Sequence, residues 1–390
     1  MINALYLTNN AGRASTTVGT RGWFEHLMPR GLRPVVASPL DGEFQEWVES
    51  QGGAFYKIDL PFPDRRRPAH FVKSLAHLFW VARRHRIHLV HCNEQEIYPI
   101  GQYLARLLRV PVVVTVHFTM LPGFSAWAFR GARCPDRMFF VSASNREACR
   151  GGVSTVVPED RWRVLYNGLN LEHFRPDQAK RASFRAQHHL DDYFVIASAC
   201  MLRPRKQLEH LFEAVSRIPG ESVRLLIAGA AVPGDGEYAD RLLRSARELL
   251  GERLLYFGHQ DDLRPLYNAS DLFVNTSQEE SFGLTALESM ACGCPVVGYP
   301  SISVAEVVLP GGGEIVEQND LDALTDAIAR RVNDRDVIQA ARSAARRRAE
   351  YFDIERLSEQ LWQEYESVMT ARPHASLAPR HGKDLNTKQC

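Results

Sequence analysis

The sequence lacks any run of the roughly 18 to 20 apolar residues that a membrane-spanning helix requires. Its first residues, MINALYLTNN, follow the pattern of a strand and lack the basic region, apolar core and cleavage site of a secretory signal. We therefore expect neither a secretory signal nor a spanning helix, and we predict a cytoplasmic protein.

An excess of charge of either sign is also missing. The sequence has 47 basic and 46 acidic residues and a net charge of +1, so the composition predicts no nucleic-acid partner. The seven cysteines lie apart without a CxxC pair, which argues against a zinc site and against a disulfide framework. Cys292 and Cys294, although close in sequence, are interpreted as small packing residues.

What the sequence does contain is a repeated strand and helix rhythm over 390 residues, a length that suggests two domains. Short β-branched apolar runs alternate with amphipathic helical stretches, which is the pattern of a parallel sheet covered by helices on both faces. The runs predict strands at about 3–8, 34–38, 54–58, 88–92, 111–116, 137–142, 162–166, 193–199, 223–229, 253–258, 271–276 and 294–299.

The predicted fold class is α/β, with two Rossmann-like, doubly wound domains that face each other across a cleft. We assign residues 1–176 to the first domain, and 177–192, which is polar and lacks a strand pattern, to a linker. Residues 193–353 form the second domain, and a helix at 354–370 is expected to pack back toward the first domain. The polar tail, 371–390, is expected to be disordered.

The most informative segment begins at Gln278 and reads QEESFGLTALESMACGCPVVGYP. Glu280 precedes a Phe282-Gly283 turn, and Glu288 stands eight positions after Glu280, about two helical turns on, in a helix that begins near Gly283. The free amide groups at such a helix start suit a diphosphate. Glu288 has apolar neighbours, so its carboxylate needs polar partners, which ribose hydroxyls would supply. Without this context, two glutamates near a helix start commonly reflect a charge preference and a solvated face.

A second segment, ASACMLRPRKQLEHLFEAV, follows a predicted strand and opens a helix. It carries Arg203 and Lys206 three positions apart on one face of the turn. Cations at this place could neutralise the charge that develops on a departing nucleoside diphosphate. The alternative is an ordinary basic helix start, which is the interpretation that we favour for Arg205.

These segments resemble the signature of the large GT-B family of retaining glycosyltransferases, the glycosyl transferases of group 1 or family four, which includes sucrose and mannosyl transferases. In that family the first glutamate meets the sugar hydroxyls and the second holds the ribose, which implies these roles for Glu280 and Glu288. Arg203 and Lys206 match the family's Arg and Lys pair after this strand. The resemblance implies that the helix start binds sugar or phosphate through Phe282, Gly283, Leu284 and Thr285.

Further matches extend the resemblance over nearly the whole chain. In VPVVVTVHF, His117 ends a strand, where the family's histidine contacts the donor sugar, although a lone histidine is usually a satisfied polar group. Asn167 and Gly168 in VLYNGLNLEHF are expected to form a structural turn, and SVAEVV carries a further glutamate, Glu306. The glycines that commonly precede this glutamate are replaced here by residues 301–303, Ser-Ile-Ser. The candidates for acceptor contacts are Asn10, Gly12 and Glu94.

The resemblance implies transfer of a hexosyl unit from a UDP- or GDP-linked sugar to a hydroxyl acceptor, with retention of the anomeric configuration. The acceptor would be a glycan, a lipid-linked molecule or a small molecule. The alternatives are a sugar-nucleotide epimerase or a sugar phosphorylase of the same fold, and a sugar-nucleotide-binding protein without catalysis. A thermal-shift screen against sugar nucleotides would separate donors, because a ligand that binds only the native state stabilises it.

We expect no metal and no other cofactor. Glycosyltransferases of a different fold bind a divalent metal through an Asp-x-Asp motif. Here that pattern occurs only as Asp320 with Asp322 and Asp334 with Asp336, in the late helical region where aspartate is a common cap.

The stretch PDRRRPAHFVKSLAHLFWVARRHRIH joins six arginines to a helix with an apolar face. Such a helix could lie on anionic lipid, as a peripheral contact at the inner face of a membrane. The alternative, which we favour, is a crossover helix that packs its apolar face on the sheet and leaves its charges in water.

Overall fold

The computed structural model of the protein describes residues 1–12, 15–64, 66–131, 134–232 and 234–371. The predicted tail lies outside these residues apart from Ala371, and so does Arg65 of the basic stretch. Among the described residues, no helix combines the length and the apolar character needed to cross a membrane.

The first half of the chain forms a seven-stranded sheet whose strands pair in parallel, in the order β3-β2-β1-β4-β5-β6-β7. Its elements are β1 (Ile2–Leu7), α1 (Ser15–Leu27), β2 (Leu32–Ser38), α2 (Glu43–Ser50), β3 (Ala54–Lys57), α3 (Pro68–Arg84), β4 (Leu89–Cys92), α4 (Tyr98–Leu108), β5 (Val112–Val116), α5 (Pro122–Ala128), β6 (Arg137–Phe140), α6 (Ala143–Val153) and β7 (Trp162–Val164).

The second half forms a six-stranded parallel sheet in the order β10-β9-β8-β11-β12-β13. Its elements are α7 (Gln178–Gln187), β8 (Phe194–Ala199), α8 (Leu208–Ser216), β9 (Val223–Ala228), α9 (Gly236–Leu250), β10 (Leu254–Tyr256), α10 (Arg264–Ala269), β11 (Leu272–Asn275), α11 (Leu284–Ala291), β12 (Val296–Gly298), α12 (Val304–Val308), β13 (Gly313–Ile315), α13 (Leu321–Asn333), α14 (Arg335–Glu350) and α15 (Ile354–Ala371).

The predicted α/β fold with two parallel sheets is confirmed, and each predicted strand overlaps an observed one. Strand β13 was not predicted. It has three residues, Gly313, Glu314 and Ile315, all half-buried at the edge of the sheet. A glycine and a glutamate beside one apolar residue do not give the β-branched run that marks the other strands.

The segment predicted as a linker contains α7, which packs against α10 of the second half. Asp177 caps this helix by accepting a hydrogen bond from Lys180 N at 2.9 Å. The buried Arg185 donates to Ala269 O at 2.8 Å and to Tyr193 O at 2.6 Å. The segment is therefore attached to the second sheet through arginine hydrogen bonds, which a search for apolar periodicity does not detect.

The last helix, α15, returns to the first sheet. Its buried residues share one core with Tyr6, Trp23 and Phe24 of the first half. Within that core Tyr365 OH bonds Tyr6 OH, and it lies 2.5 Å from Nδ1 of His91. Burial lowers the pKa of His91 to about 3, so the imidazole is neutral in this network.

The chain passes between the two sheets twice, after β7 and before α15, and the two passages pair. Leu169 N donates to Phe352 O at 2.9 Å, and Ile354 N donates to Leu169 O at 3.1 Å. Gly168 is needed at this crossing because a Cβ there would lie 2.7 Å from the backbone atom Cα of Ile354. The turn predicted at Asn167 and Gly168 is wrong: these residues form irregular chain without a turn, where the two halves join.

Helix α3 packs one face into the first core through Phe71, Leu78 and Val81. This is the sheet packing that the sequence favoured. The opposite face leaves Trp80 51% and Val72 61% exposed.

Candidate functional site

Two adjacent strands of the second sheet, β8 and β11, end at the loops that carry the predicted donor-side residues Arg203, Lys206 and Glu280. A 3-10 turn at residues 204–206 follows β8, and the loop of Glu280 follows β11. Two hydrogen bonds of 2.8 Å tie these loops together, from Thr276 Oγ1 to Lys206 O and from Gln278 N to Arg205 O. Because ligands of doubly wound sheets bind beyond the carboxyl ends of the strands, this is the place where a ligand is expected.

Lys206 and Glu280 form an ion pair between the ammonium and Oε2. Lys206 is buried, with 7% of its surface exposed, whereas the Glu280 side chain is 23% exposed. A buried ammonium needs a partner, and Glu280 provides one. Since an ammonium has three donors, Lys206 can bind a phosphate oxygen while it keeps this pair.

Arg203 lies on the same turn but points to a different partner. Its Nε donates to Asp235 Oδ2 at 2.7 Å, and Asp235 immediately precedes α9. The structure therefore joins Lys206 to Glu280 and Arg203 to Asp235. Asp235 was not predicted, because an aspartate beside glycines before a helix has the appearance of a simple helix-start residue.

Glu288 lies inside α11 and accepts a hydrogen bond from Tyr267 OH to Oε2 at 2.8 Å. Burial raises the pKa of Glu288 to about 7. The sequence predicted that this carboxylate requires a polar partner, and the structure supplies the hydroxyl of the buried Tyr267 on α10. No sequence signal distinguished this tyrosine from an ordinary core aromatic.

The start of α11 depends on Gly283, which has a φ of +91°, a left-handed conformation that favours glycine. A Cβ at this position would also lie 3.1 Å from Val304 Cγ2. Phe282 is buried in the core of the second half and contacts Phe352, with ring centroids 5.8 Å apart. Its side chain is therefore a packing anchor, and only the backbone of Phe282 is suited to meet a ligand.

At the first sheet, His117 follows β5 and is buried. Its backbone N donates to Gln95 Oε1 at 3.2 Å, and the carbonyl of Asn93 bonds the imidazole. Burial lowers the pKa of His117 to about 4, so the ring is neutral. Within the described ranges, Nε2 of His117 and Nδ2 of Asn93 are buried and have no hydrogen-bond partner. Buried polar atoms without a partner are uncommon.

The acceptor-side candidates meet at the ends of β1 and β4. Glu94 is buried, and its carboxylate accepts from Thr8 Oγ1 at 2.9 Å, from Asn9 N at 3.1 Å and from Asn10 Nδ2 at 3.4 Å. Burial raises the pKa of Glu94 to about 7. The structure thus brings Asn10 and Glu94 together, and Gly12 lies exposed two residues further along the same loop.

The Asp-x-Asp pairs take structural positions where they are described. Asp320 caps α13 by accepting from Ala323 N at 2.8 Å, and Asp322 binds Arg217 at 2.7 Å. Asp334 accepts from Val337 N at 3.1 Å, while the side chain of Asp336 lies outside the described part of the protein. Among the described residues, no three His, Cys, Asp or Glu side chains are grouped so that they could hold a metal ion.

Two family models match consecutive parts of the chain. The one described as Glycosyltransferase Family 4 matches residues 19–173, and the one described as Glycosyl transferases group 1 matches residues 180–348. The two models together cover most of the chain, which therefore belongs to the glycosyltransferase family that they describe. The family resemblance that the motifs predicted is therefore confirmed, and the group 1 match includes both loops that hold Lys206 and Glu280.

Curated relatives of this glycosyltransferase match it over part of its length. The D-inositol 3-phosphate glycosyltransferase of Mycolicibacterium smegmatis is 34% identical over 197 residues, which are 48% of this chain and 43% of that relative. Its namesake from Saccharomonospora viridis is 34% identical over 227 residues, 54% of this chain and 51% of that relative. The chain thus spans about half the length of the curated relatives it matches.

Solved structures share the whole fold. The Anabaena protein HepE, crystallised with UDP, superposes with a TM-score of 0.82 at 20% identity, covering 94% of this chain and 100% of that one. Sucrose-phosphate synthase from Thermosynechococcus elongatus superposes with a TM-score of 0.79 at 22% identity, covering 95% and 100% of the two chains. These likenesses show that the glycosyltransferase has the GT-B fold.

Proposed function

We propose that this glycosyltransferase is a retaining enzyme that moves a hexosyl unit from a nucleotide-diphosphate sugar to a hydroxyl acceptor. The observation that carries the proposal is the buried Lys206, paired with Glu280 beside the start of α11. An ammonium and free helix amides at the carboxyl edge of a doubly wound sheet provide positive charge where a diphosphate would lie.

The proposed donor is a UDP-linked hexose, with a GDP-linked hexose as the alternative. Support comes from the similar Anabaena protein HepE, whose structures contain UDP, UDP with glucose, and UDP-glucose. In the proposed complex, Glu288 accepts bonds from ribose hydroxyls and Glu280 from the hexose. The amides at 283–285 and the cations Lys206 and Arg203 bind the diphosphate.

In the proposed reaction, the bond between the anomeric carbon and the diphosphate oxygen breaks, and its electron pair stays on that oxygen. The acceptor hydroxyl oxygen bonds to the anomeric carbon from the same face, and its proton passes to the departing phosphate. Lys206 and the helix amides stabilise the charge that grows on the leaving group, an effect worth about 3 to 4 kcal/mol for one preorganised contact. No protein nucleophile takes part.

The proposed acceptor binds at the first sheet, between the loops of Asn10, Glu94 and His117. At this edge we assign to His117 the contact with the transferred donor sugar that the resemblance implies, because its buried Nε2 needs a hydrogen-bond partner and a sugar hydroxyl provides one. A glycan, a lipid-linked molecule and a small molecule all carry acceptor hydroxyls.

We propose that transfer needs no metal, because the described aspartates of the Asp-x-Asp pairs serve as helix caps or bind arginine. Transfer rates measured with and without a chelator test this point. Equal rates are expected, and a loss of activity that Mg²⁺ or Mn²⁺ restores would contradict it.

To test the function, the protein is incubated with UDP-glucose or GDP-glucose and a panel of hydroxyl acceptors, and release of the nucleoside diphosphate is measured. The anomeric configuration of the product is read by NMR. We expect acceptor-dependent release of the nucleoside diphosphate and an α-linked product from an α-linked donor. A β-linked product would refute retention. Conversion of the sugar nucleotide without an acceptor would favour an epimerase, and tight binding without any turnover would favour a non-catalytic binder.

Peripheral contact with anionic lipid through α3 is the alternative to simple sheet packing, and its support is the exposed Trp80 beside Arg83 and Arg84 at the end of the helix. Sedimentation with vesicles of phosphatidylglycerol and phosphatidylcholine tests it, with pure phosphatidylcholine vesicles as the control. Sheet packing alone predicts no binding to either vesicle, and selective binding to the anionic vesicles would instead support the lipid contact.

A further inference from the structure

Glu306 belongs to α12 of the second half, but its carboxylate bonds the first half. Oε1 accepts from Ala143 N at 2.9 Å and Oε2 accepts from Ser144 N at 2.7 Å, at the first turn of α6. A carboxylate is favourable at this end of a helix because the amide groups there are unpaired and the helix dipole is positive. Tyr166 OH, which follows β7, donates to Oε1 at 2.6 Å.

These bonds keep Glu306 ionised. Burial alone would raise the pKa of this half-buried carboxyl, but the hydrogen bonds from Tyr166, Ser144 and Ala143 outweigh burial and lower it. The contact between α12 and α6 is therefore made by a negative charge at neutral pH.

A second contact lies beside the first. Ser142 Oγ and Ser303 Oγ are 2.6 Å apart and both residues are fully buried. Ser142 precedes α6 and accepts from Asn145 N at 2.9 Å, while Ser303 precedes α12. Two helix starts, one from each half, thus meet through buried polar bonds. We call this contact the α6–α12 junction, formed by Ser142, Ala143, Ser144, Tyr166, Ser303 and Glu306.

The junction continues directly into the donor side of the site. Ser303 N donates to Glu280 O at 3.3 Å, and Val304 is the residue that a Cβ at Gly283 would strike. The Tyr166 ring lies 6.3 Å from the ring of Phe282. The loop 280–283 therefore packs against residues whose own positions depend on contacts with the first half.

From this geometry we propose that the α6–α12 junction fixes how closely the two sheet edges approach, and that Glu306 and Ser303 are positioning residues for Glu280. The role of Glu280 in transfer belongs to the proposed function, so this inference rests on it. The polar bonds of the junction can exchange with water when the halves separate, unlike the apolar core that holds α15 on the first sheet. The junction is thus the part of the contact between the two halves whose bonds can break and form again.

The test replaces Glu306 by glutamine, whose amide nitrogen cannot accept a backbone N–H. The matched control is Glu314→Gln, because Glu314 binds Arg330 at 2.6 Å and Arg331 at 2.8 Å within the second half. Tyr166→Phe removes one of the three bonds to Glu306 and should give a smaller effect of the same direction. Glu306→Asp keeps the charge and should recover part of the loss.

Two readouts do not depend on activity. Small-angle X-ray scattering of Glu306→Gln should show a larger radius of gyration than wild type and Glu314→Gln. Amide exchange measured by mass spectrometry should be faster over 280–285 as well as over 143–146. Unchanged scattering together with unchanged exchange at 280–285 would overturn the inference, whether or not the protein transfers a sugar.

The kinetic readout separates positioning from donor binding. In Glu306→Gln, kcat should fall about 10- to 100-fold, the range expected when a reacting group is displaced by about 1 Å. The affinity for UDP should fall much less than kcat, because Lys206 and Glu288, which are proposed to bind it, make no bond to the junction within the described part of the chain. An equal loss of UDP affinity and kcat, or kcat equal to that of wild type, would overturn the inference. A wild-type protein without transfer would instead refute the proposed function.

Discussion

The carboxyl edges of the two sheets differ in the kind of polar group that they hold. At the second sheet the side chains pair as ions, Lys206 with Glu280 and Arg203 with Asp235. Each pair joins loops that follow neighbouring strands, so opposite charges are fixed in place before any ligand arrives. An edge of this kind is suited to a charged ligand, whose phosphate oxygens can share the cations.

At the first sheet, burial shifts the titratable groups toward their uncharged forms. Burial holds the pKa of His117 down at about 4 and that of Glu94 up at about 7. Neutral donors and acceptors suit hydroxyl groups, which carry no charge to match. This difference gives an electrostatic reason for the proposed binding sites. The charged donor would bind at the second sheet and the uncharged acceptor at the first.

The change with the largest expected effect is Lys206→Ala. It removes the buried cation and leaves the Glu280 carboxylate without its partner, so transfer should fall about 10²- to 10³-fold. UDP affinity, measured by calorimetry, should fall as well. Lys57→Ala, which breaks the exposed pair with Asp41, is the control and should leave both unchanged. Wild-type transfer by Lys206→Ala would mean that the second edge does not hold the diphosphate.

His117→Ala is the corresponding change at the first edge. Loss of one hydrogen bond to a hydroxyl should lower kcat/KM about 10- to 100-fold, with UDP affinity almost unchanged. The exposed His70, which pairs with Asp59, provides the control substitution His70→Ala. If His117→Ala weakened UDP binding as much as Lys206→Ala, the two edges would not serve different ligands.

Glu94 makes stability depend on pH. Its pKa is about 7 in the folded protein against an ordinary value of 4.5, so the folded state binds more protons between these values. Rising pH therefore favours unfolding. Between pH 5 and pH 8 the free energy of unfolding should decrease by about 1 to 3 kcal/mol more in wild type than in Glu94→Gln. Urea unfolding at both pH values measures this, and equal decreases would show that Glu94 titrates normally.

Glu288 should give a smaller effect, on donor binding. Its carboxylate form accepts bonds from hydroxyls, and the pKa of about 7 means that this form increases as the pH rises from 6 to 8. The affinity for UDP-glucose should then increase by up to about tenfold over this range in wild type, as the carboxylate fraction does, and stay level in Glu288→Gln. Titration calorimetry at pH 6 and pH 8 measures the affinity of both proteins for UDP-glucose. The same increase in Glu288→Gln would assign the pH dependence to another group.

The strands and the family were predictable from the sequence because both depend on local pattern. Buried parallel strands appear as apolar runs, and the spacing of Glu280, Gly283 and Glu288 is visible along one segment. The side-chain pairing was less accessible. Asp235 and Tyr267 reach Arg203 and Glu288 from other loops and helices, and nothing in their own surroundings marks them.

The helix in the predicted linker and strand β13 were missed for a related reason. Helix α7 is held by arginines bonded to backbone carbonyls rather than by an apolar stripe, and β13 is a half-buried edge strand of three residues. Hydrophobic periodicity reports burial against a core. Elements that are attached by polar bonds or lie at an edge give it little signal.

The return of α15 to the first sheet has a consequence for biosynthesis. The contact between Tyr6 and Tyr365 closes a separation of 359 residues, so the ribosome completes the second sheet before it makes the helix that covers Trp23 and Phe24. The first half therefore emerges with part of its apolar surface uncovered, a state prone to aggregation until translation is almost finished. Chaperone demand during synthesis should thus fall on the first half, although it is translated first and has the larger sheet.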